Sequence, residues 1–150
     1  MTHRYNVRAY ALVMHGGKLL VADEFFRGIR MTKFPGGGNE WGEGLAETVK
    51  RELLEETGQE PVSIAHFYTT DFFVESAFHE NVQLLSVYYT AALPHPENVP
   101  VKTKPFDFDE EKDGAMVFRW INLDEISPDT FTFPIDKKVA ELLKKKNPGR

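Results

Sequence analysis

The chain has 150 residues, 41% hydrophobic and 13% aromatic, a net charge of −5 and no cysteine. That length supports one domain, residues 1–150, with a hydrophobic core, and the apolar content excludes a disordered chain. The missing cysteines exclude disulfides, thiolate metal sites and a cysteine nucleophile, and the acidic balance argues against a nucleic-acid polymer as partner, since such binders carry a basic stripe.

The N-terminal stretch MTHRYNVRAYALVM has neither a long apolar segment nor a small-residue cleavage site, so no signal peptide is expected. No run approaches 18 apolar residues, so no membrane span is expected. A reducing, cytoplasmic setting fits both points. Residues 5–14 are rich in Tyr, Val and Leu and predict a strand. His15-Gly16-Gly17-Lys18 is a turn signal, and residues 19–26 predict the returning strand. Residues 27–33 read as a basic connection carrying Arg27, Arg30 and Lys33. The simpler reading is a solvated loop. The sharper one is phosphate contact, because guanidinium forks hold phosphate oxygens and the loop runs into a glycine turn. Phe34-Pro35 then reads as a short strand leading into Gly36-Gly37-Gly38.

An acidic loop follows, with Trp41 read as shielding the start of a helix over residues 45–57. Gly44 is the expected N-cap and Gly58 the C-terminal stop. Leu45, Val49 and Leu53, with Ala46 beside them, form the apolar stripe. Glu52, Glu55 and Glu56 project together from another face, because positions three and four apart are neighbours on a helix. Three adjacent carboxylates repel one another unless cations sit among them. Arg51 is one cation, and hard divalent ions, which take oxygen ligands and substrate phosphates, are the natural complement.

Beyond the helix, residues 61–74 predict one long or bent strand, 75–80 a turn and 82–93 a strand with the clearest apolar pattern in the chain. Residues 93–113, with four prolines and the acidic string DFDEEKD, lack periodicity and read as a long loop. Residues 116–123 predict a strand, Asp124-Glu125-Ile126 a short helix or turn, and 134–146 an amphipathic helix. Its buried side is Ile135, Val139, Leu142 and Leu143. Its last turn, Lys144-Lys145-Lys146, favours a helix C-terminus electrostatically. The order of elements gives an α+β class, without a repeat or second domain.

Gly37, Glu43, Arg51, Glu52, Leu53, Glu55, Glu56 and Gly58 stand at the spacings of the Nudix box, and the segment 37–58 resembles that of the Nudix hydrolases. One position departs: Gln59 stands where a bulky aliphatic residue is usual, at a packing site. FPGGG before the box and WINLDEI near the end also look like the family. The resemblance implies a mixed β-sheet sandwiched between α-helices. It implies hydrolysis, within the pyrophosphate, of a nucleoside diphosphate linked to another group. Mg²⁺ is the implied cofactor, with Mn²⁺ as the alternative. By motif position, Glu52, Glu55, Glu56 and the Gly36 carbonyl are metal ligands. Arg51 orients a carboxylate, Glu52 or Glu43, and Glu43 supports the loop–helix junction. The general base is open among Glu52, the late-loop residues Glu110 and Glu111, and His79 or Glu80. A small-molecule nucleotide is the implied partner, with a homodimer left open.

Marks of four related activities are missing: those of ADP-ribose, dinucleoside polyphosphate, NADH and coenzyme A hydrolases. One mark remains. In Phe131-Thr132-Phe133-Pro134-Ile135-Asp136, Phe133 and Asp136 resemble the stacking and base-bonding pair of some oxidised-purine nucleotide hydrolases. The plainer reading makes Phe133 a core residue and Asp136 part of the start of the last helix. A nucleoside triphosphate is therefore the first expected substrate, an ADP-ribose or nucleotide sugar the second. A rival class is a non-catalytic nucleotide sensor, which would bind without turnover.

Overall fold

The computed structural model describes residues 2–146. Its elements run β1 (Arg4–His15), β2 (Lys18–Phe26), β3 (Ile29–Lys33), β4 (Gly36–Gly38), α1 (Leu45–Thr57), β5 (Ser63–Thr69), β6 (Val82–Ala92), β7 (Ala115–Asn122) and α2 (Pro134–Lys146). The class is α+β. Two compact units form, one from residues 2–12 and 36–94, the other from 13–35 and 95–146.

In the first unit β1 pairs antiparallel with β4, Arg8 opposite Gly38, Ala9 opposite Gly37 and Tyr10 opposite Gly36. Gly36 stands at φ +146°, and a Cβ there would run into the Ala9 carbonyl and the Tyr10 backbone. Only glycine lets β4 lie this close to β1. β6 neighbours β1 and pairs antiparallel with β5, the register shifting between His66 and Tyr68. Tyr10 stacks on Tyr88 with ring centroids 5.3 Å apart, and Val49 and Leu53 of α1 are also buried. α1 begins and ends where its glycines predict. The Glu47 carboxylate accepts the Gly44 N–H at 2.9 Å. Gly58, at φ +75°, donates to the Leu54 carbonyl. Thr48 is buried on this helix while Ala46 is exposed and Leu45 half-buried, so the stripe is one turn shorter than the apolar spacing suggests.

Two expectations are corrected in this unit. The strand predicted over 61–74 stops at Thr69. Asp71 accepts the Tyr68 hydroxyl at 2.6 Å, and Thr70 bonds the Ser86 backbone through both its N–H and its hydroxyl, so side chains compete with the ladder. Trp41 shields nothing: it is fully exposed on a loop that bends at Gly42, φ +93°.

In the second unit β2 is central. It pairs antiparallel with β7 along its length and with β3 through Ala22–Phe26, and meets the end of β1 at a tight hairpin. Gly16 and Gly17 take φ +57° and +75° there, the primed turn that matches strand twist. The segment 27–33 is not a loop. Arg27 at φ +49° and Gly28 at φ +77° make a second such turn, and Ile29–Lys33 returns as β3. Phe34-Pro35 is not a strand either. Phe34 is buried and stacks on Phe131 at 4.3 Å with planes 15° apart, a packing role that leaves the short strand to begin at Gly36.

The long segment before β7 is tethered rather than structureless. Val101 forms a bridge to Phe118. The Phe106 N–H donates at 3.1 Å to Asp23. Asp23 is completely buried and also accepts two hydrogen bonds from the Arg119 guanidinium and one from the Thr32 hydroxyl. On α2, Ile135, Val139 and Leu143 are buried as the spacing predicts, joined by Asp136 and Ala140, while Leu142 is only half-buried. Among the described residues no helix is long and apolar enough to cross a membrane.

Candidate active site

The box residues of the first unit gather around one guanidinium. Arg51, on the second turn of α1, donates from Nε to Glu43 Oε2 at 3.0 Å and from Nη2 to Glu43 Oε1 at 2.8 Å. This is a two-point fork, the geometry in which arginine binds a carboxylate most firmly. Nη2 also donates to the Gly38 carbonyl at 2.9 Å and Nη1 to Glu52 Oε1 at 3.0 Å. The exposed Glu55 carboxylate stands 3.5 Å from Nη1 and Glu40 3.6 Å. Arg51 therefore fastens three pieces of chain together: the end of β4, the acidic loop and the helix.

Glu43 is the best-fixed acid of the loop. Besides the fork it accepts the Glu40 N–H at 3.0 Å and the Thr48 hydroxyl at 2.8 Å. The Arg51 fork first, then these two bonds, hold its carboxyl down at about 2, and Glu43 in turn raises Arg51 above its ordinary range. Glu43 is thus an anion that anchors, spent on its neighbours. Asn39 completes the junction, donating from Nδ2 to the Glu43 carbonyl at 3.1 Å and to Thr48 Oγ1 at 2.8 Å.

Glu52 lies against β4. A Cβ on Gly37 would stand 2.5 Å from Glu52 Oε1, so the bare Gly37 backbone is the cradle in which that carboxylate rests. Glu56 is half-buried on the same helix. The donor set Glu52, Glu55, Glu56 and the Gly36 carbonyl consists entirely of oxygens, the chemistry a hard divalent cation takes. Among the described residues no three acidic or histidine side chains converge on one point as a closed ligand cluster. Glu52 and Glu55 lie against Arg51 instead. The donor chemistry fits Mg²⁺ or Mn²⁺.

The other anticipated residues divide between the units. In the second unit Arg30 and Glu111 are brought together, Nε to Oε2 at 2.6 Å, with the Arg30 guanidinium 5.5 Å from the centre of the Phe106 ring. The Arg27 N–H donates to Asp113 at 2.9 Å, and its guanidinium lies 5.1 Å from the centre of the Phe26 ring. Glu110 is exposed beside Lys112. Phe133 is half-buried and Asp136 buried at the start of α2. The segment just before them is fixed to β3: the Thr32 N–H donates to Thr132 Oγ1 at 2.8 Å and the Thr132 N–H to the Thr32 carbonyl at 3.2 Å. His79 and Glu80 sit exposed in the turn of the first unit, His79 donating its N–H to Ser76.

Sequence reasoning missed Asn39, Thr48 and Asp23. The first two carry a weak signal: an Asn six residues before a helix, and a polar residue beside the apolar stripe. Asp23 has a clearer one, an acid beside Glu24 in the middle of the apolar run LLVADEFF.

Comparison with known proteins bears on this arrangement. The family model of the NUDIX domain matches residues 2–143. Two relatives, each described as nucleoside diphosphate-linked moiety X motif 6, come from Mus musculus and Xenopus laevis. Each is 28% identical over 95% of this chain, and the chain spans 42% and 60% of their respective lengths. A solved NUDIX hydrolase from Nitrosomonas europaea superposes with a TM-score of 0.65 at 22% identity, covering 91% of this chain and 86% of that one. The MutT protein from Methanosarcina mazei Go1 gives 0.63 at 18% identity over 99% of both chains. These two structures share the fold.

Proposed function

The chain belongs to the NUDIX domain family, and from that premise we propose that it hydrolyses a nucleoside diphosphate linked to another group. A nucleoside triphosphate, including one with an oxidised purine, is the proposed substrate, and nucleoside monophosphate and pyrophosphate are the products. The observation that carries this reading is the Arg51 network. Every charged position of the box is present, and four of them, Glu43, Arg51, Glu52 and Glu55, sit in one hydrogen-bonded and ion-paired cluster beside the glycine strand.

The roles follow from the contacts. Glu43 fixes Arg51, and Arg51 fixes Glu52 against Gly37. Rotamer freedom is thereby removed from the carboxylate before substrate arrives, which is how a positioned site lowers a barrier. Glu52, Glu55, Glu56 and the Gly36 carbonyl would hold the divalent cation, which when bound neutralises pyrophosphate charge and acidifies water. Glu52 is also one candidate to take the proton of the attacking water, beside Glu110, Glu111, His79 and Glu80. In the reaction, water oxygen bonds to one phosphorus of the α–β bridge and gives its proton to the base, the bridging P–O bond breaks, and the bridging oxygen leaves with the other phosphorus. Arg27 and Arg30 are proposed phosphate contacts, and Phe133 and Asp136 proposed base contacts.

The test is product analysis. Purified chain with Mg²⁺ is given a panel of nucleoside triphosphates, oxidised purine nucleotides, nucleotide sugars and ADP-ribose. Monophosphate and pyrophosphate from a triphosphate support the reading. Sugar phosphate or ribose phosphate as the dominant product replaces it with the nucleotide-sugar or ADP-ribose activity.

A further inference from the structure

A cleft of about 180 Å³ opens in the first unit between the start of β1 and the segment leading into β6. Tyr5 and Phe73 line it, and both are large rings left 64% and 70% exposed. Among the described residues neither ring stacks on another, and the Tyr5 hydroxyl has no hydrogen-bond partner. Exposed aromatic pairs flanking a cleft are unusual, since each ring forgoes a large burial. Asn81 and Gln83 also line the cleft, and their side-chain amides make no hydrogen bond within the described protein.

The backbone beneath is firmly built. The Arg4 N–H donates to the Asn81 carbonyl at 3.0 Å, and the Asn81 N–H to Glu75 Oε2 at 3.1 Å. Asn81 is held at φ +63°, a conformation asparagine tolerates better than most residues. Two ring faces, two unspent carboxamides and a volume near that of a cavity that takes one aromatic ring specify a single planar heterocycle with donors and acceptors on its edge. His3, Arg4 and Glu75 complete the lining.

β1 links the cleft to the box. Ala9 faces Gly37, whose missing Cβ points at Glu52. Strand alternation puts Tyr5, four residues earlier, on the face that Ala9 shares. At the rise of a strand, Tyr5 lies roughly 13 Å along β1 from Ala9, about the reach of a nucleotide from base to outer phosphate.

We propose that the Tyr5–Phe73 cleft, in place of the Phe133 and Asp136 contacts given above, binds the nucleobase of a free nucleotide, stacking it on the two rings and reading its edge with Asn81 and Gln83. Its placement relative to the phosphates rests on the hydrolase reading above; its affinity for a base does not.

The test is calorimetric titration of the full chain, without divalent ion, with nucleoside monophosphates and with ribose 5-phosphate. Tyr5→Ala and Phe73→Ala are compared with Val62→Ala, a control at another exposed apolar side chain. All three positions are largely exposed, so each variant is expected to fold, checked by its melting curve. The expected result is binding of the monophosphates, little binding of ribose 5-phosphate, and a loss of about tenfold in each cleft variant, the scale of one base–aromatic stack. Equal binding of ribose 5-phosphate, or unchanged binding in both cleft variants, overturns the proposal. So does a single-stranded oligonucleotide that binds far more tightly than any monophosphate and loses that affinity in the same variants. Absence of turnover with intact, cleft-dependent base binding removes the hydrolase reading and leaves the cleft standing. Turnover with an unchanged KM in both cleft variants does the reverse.

Discussion

Replacing Arg51 by lysine keeps the charge and removes the fork. The guanidinium donates to Glu43 at two points, to the Gly38 carbonyl and to Glu52. An ammonium is a point donor on a narrower head and cannot serve the loop, the strand and the helix together. Two of these bonds, at least, are expected to be lost. Hydrogen bonds to charged groups contribute about 1.5–3 kcal/mol each. The Arg51 side chain is a quarter exposed, so solvent screening favours the low end and a total near 3 kcal/mol. For a chain of this size that is a fall in Tm of about 6–12 °C.

The loss also has a pH signature. Glu43 is held low in the folded state, at about 2, chiefly by Arg51. A carboxyl depressed on folding stabilises the protein above its unfolded value, near 4.3, and that contribution is lost as pH falls toward the folded value. The gap between wild type and Arg51→Lys is therefore widest at neutral pH and narrows between about pH 4.5 and 2. Urea denaturation of both proteins at a series of pH values measures it. A gap below about 0.5 kcal/mol at pH 7, or one constant down to pH 2.5, would refute the assignment of Arg51 as the fastener of the site.

Other consequences are equally open to measurement. Gly36→Ala drives a methyl into β1 backbone while Gly37→Ala meets only a carboxylate. Melting curves should show a loss of about 1–3 kcal/mol or more for the first and little for the second, whereas turnover should fall in Gly37→Ala because Glu52 is displaced. Asp23→Asn leaves the Arg119 charge without its counterion in a buried site, so denaturation should show a loss of about 3–5 kcal/mol; a pairing of Asp23→Leu with Arg119→Met should recover only part of it, because the Phe106 N–H and the Thr32 hydroxyl lose their acceptor. Thr48→Val removes the hydroxyl bonds to Glu43 and Asn39 and should cost about 1–3 kcal/mol by denaturation. Mg²⁺ at a hundred times its dissociation constant should add about 2.7 kcal/mol to stability, a gain lost on chelation and absent in Glu56→Gln.

Much of the architecture was legible because local signals and tertiary needs agree. α1 begins and ends where its glycines place it, and α2 begins where Pro134 places it. The first hairpin follows from Gly16-Gly17. The second was missed because its turn is Arg27-Gly28, and Arg27 adopts a positive φ that its type rarely takes. Three cations in seven residues then disguised β3 as a solvated loop. Of the candidate site, the helix placement was legible, since spacing alone puts Glu52, Glu55 and Glu56 on one helix. The wiring was not. That Arg51 reaches Gly38 and Glu43 at once depends on a loop path that no periodicity encodes. Asp23 escaped because its partners Arg119 and Phe106 are distant in sequence. Trp41 misled because an aromatic in a loop suggests burial, while the bend at Gly42 leaves it in solvent.

The central claim is that the carboxylates of α1 carry phosphoric anhydride hydrolysis. Its most direct test is turnover by Glu56→Gln, which changes a charge and scarcely a shape, measured beside wild type with Mg²⁺ and the best nucleotide of the panel. The account predicts a fall in kcat of at least a hundredfold, the scale of losing one electrostatic group from a site, with a melting temperature close to that of wild type in the absence of the ion. Wild-type turnover in the variant contradicts it.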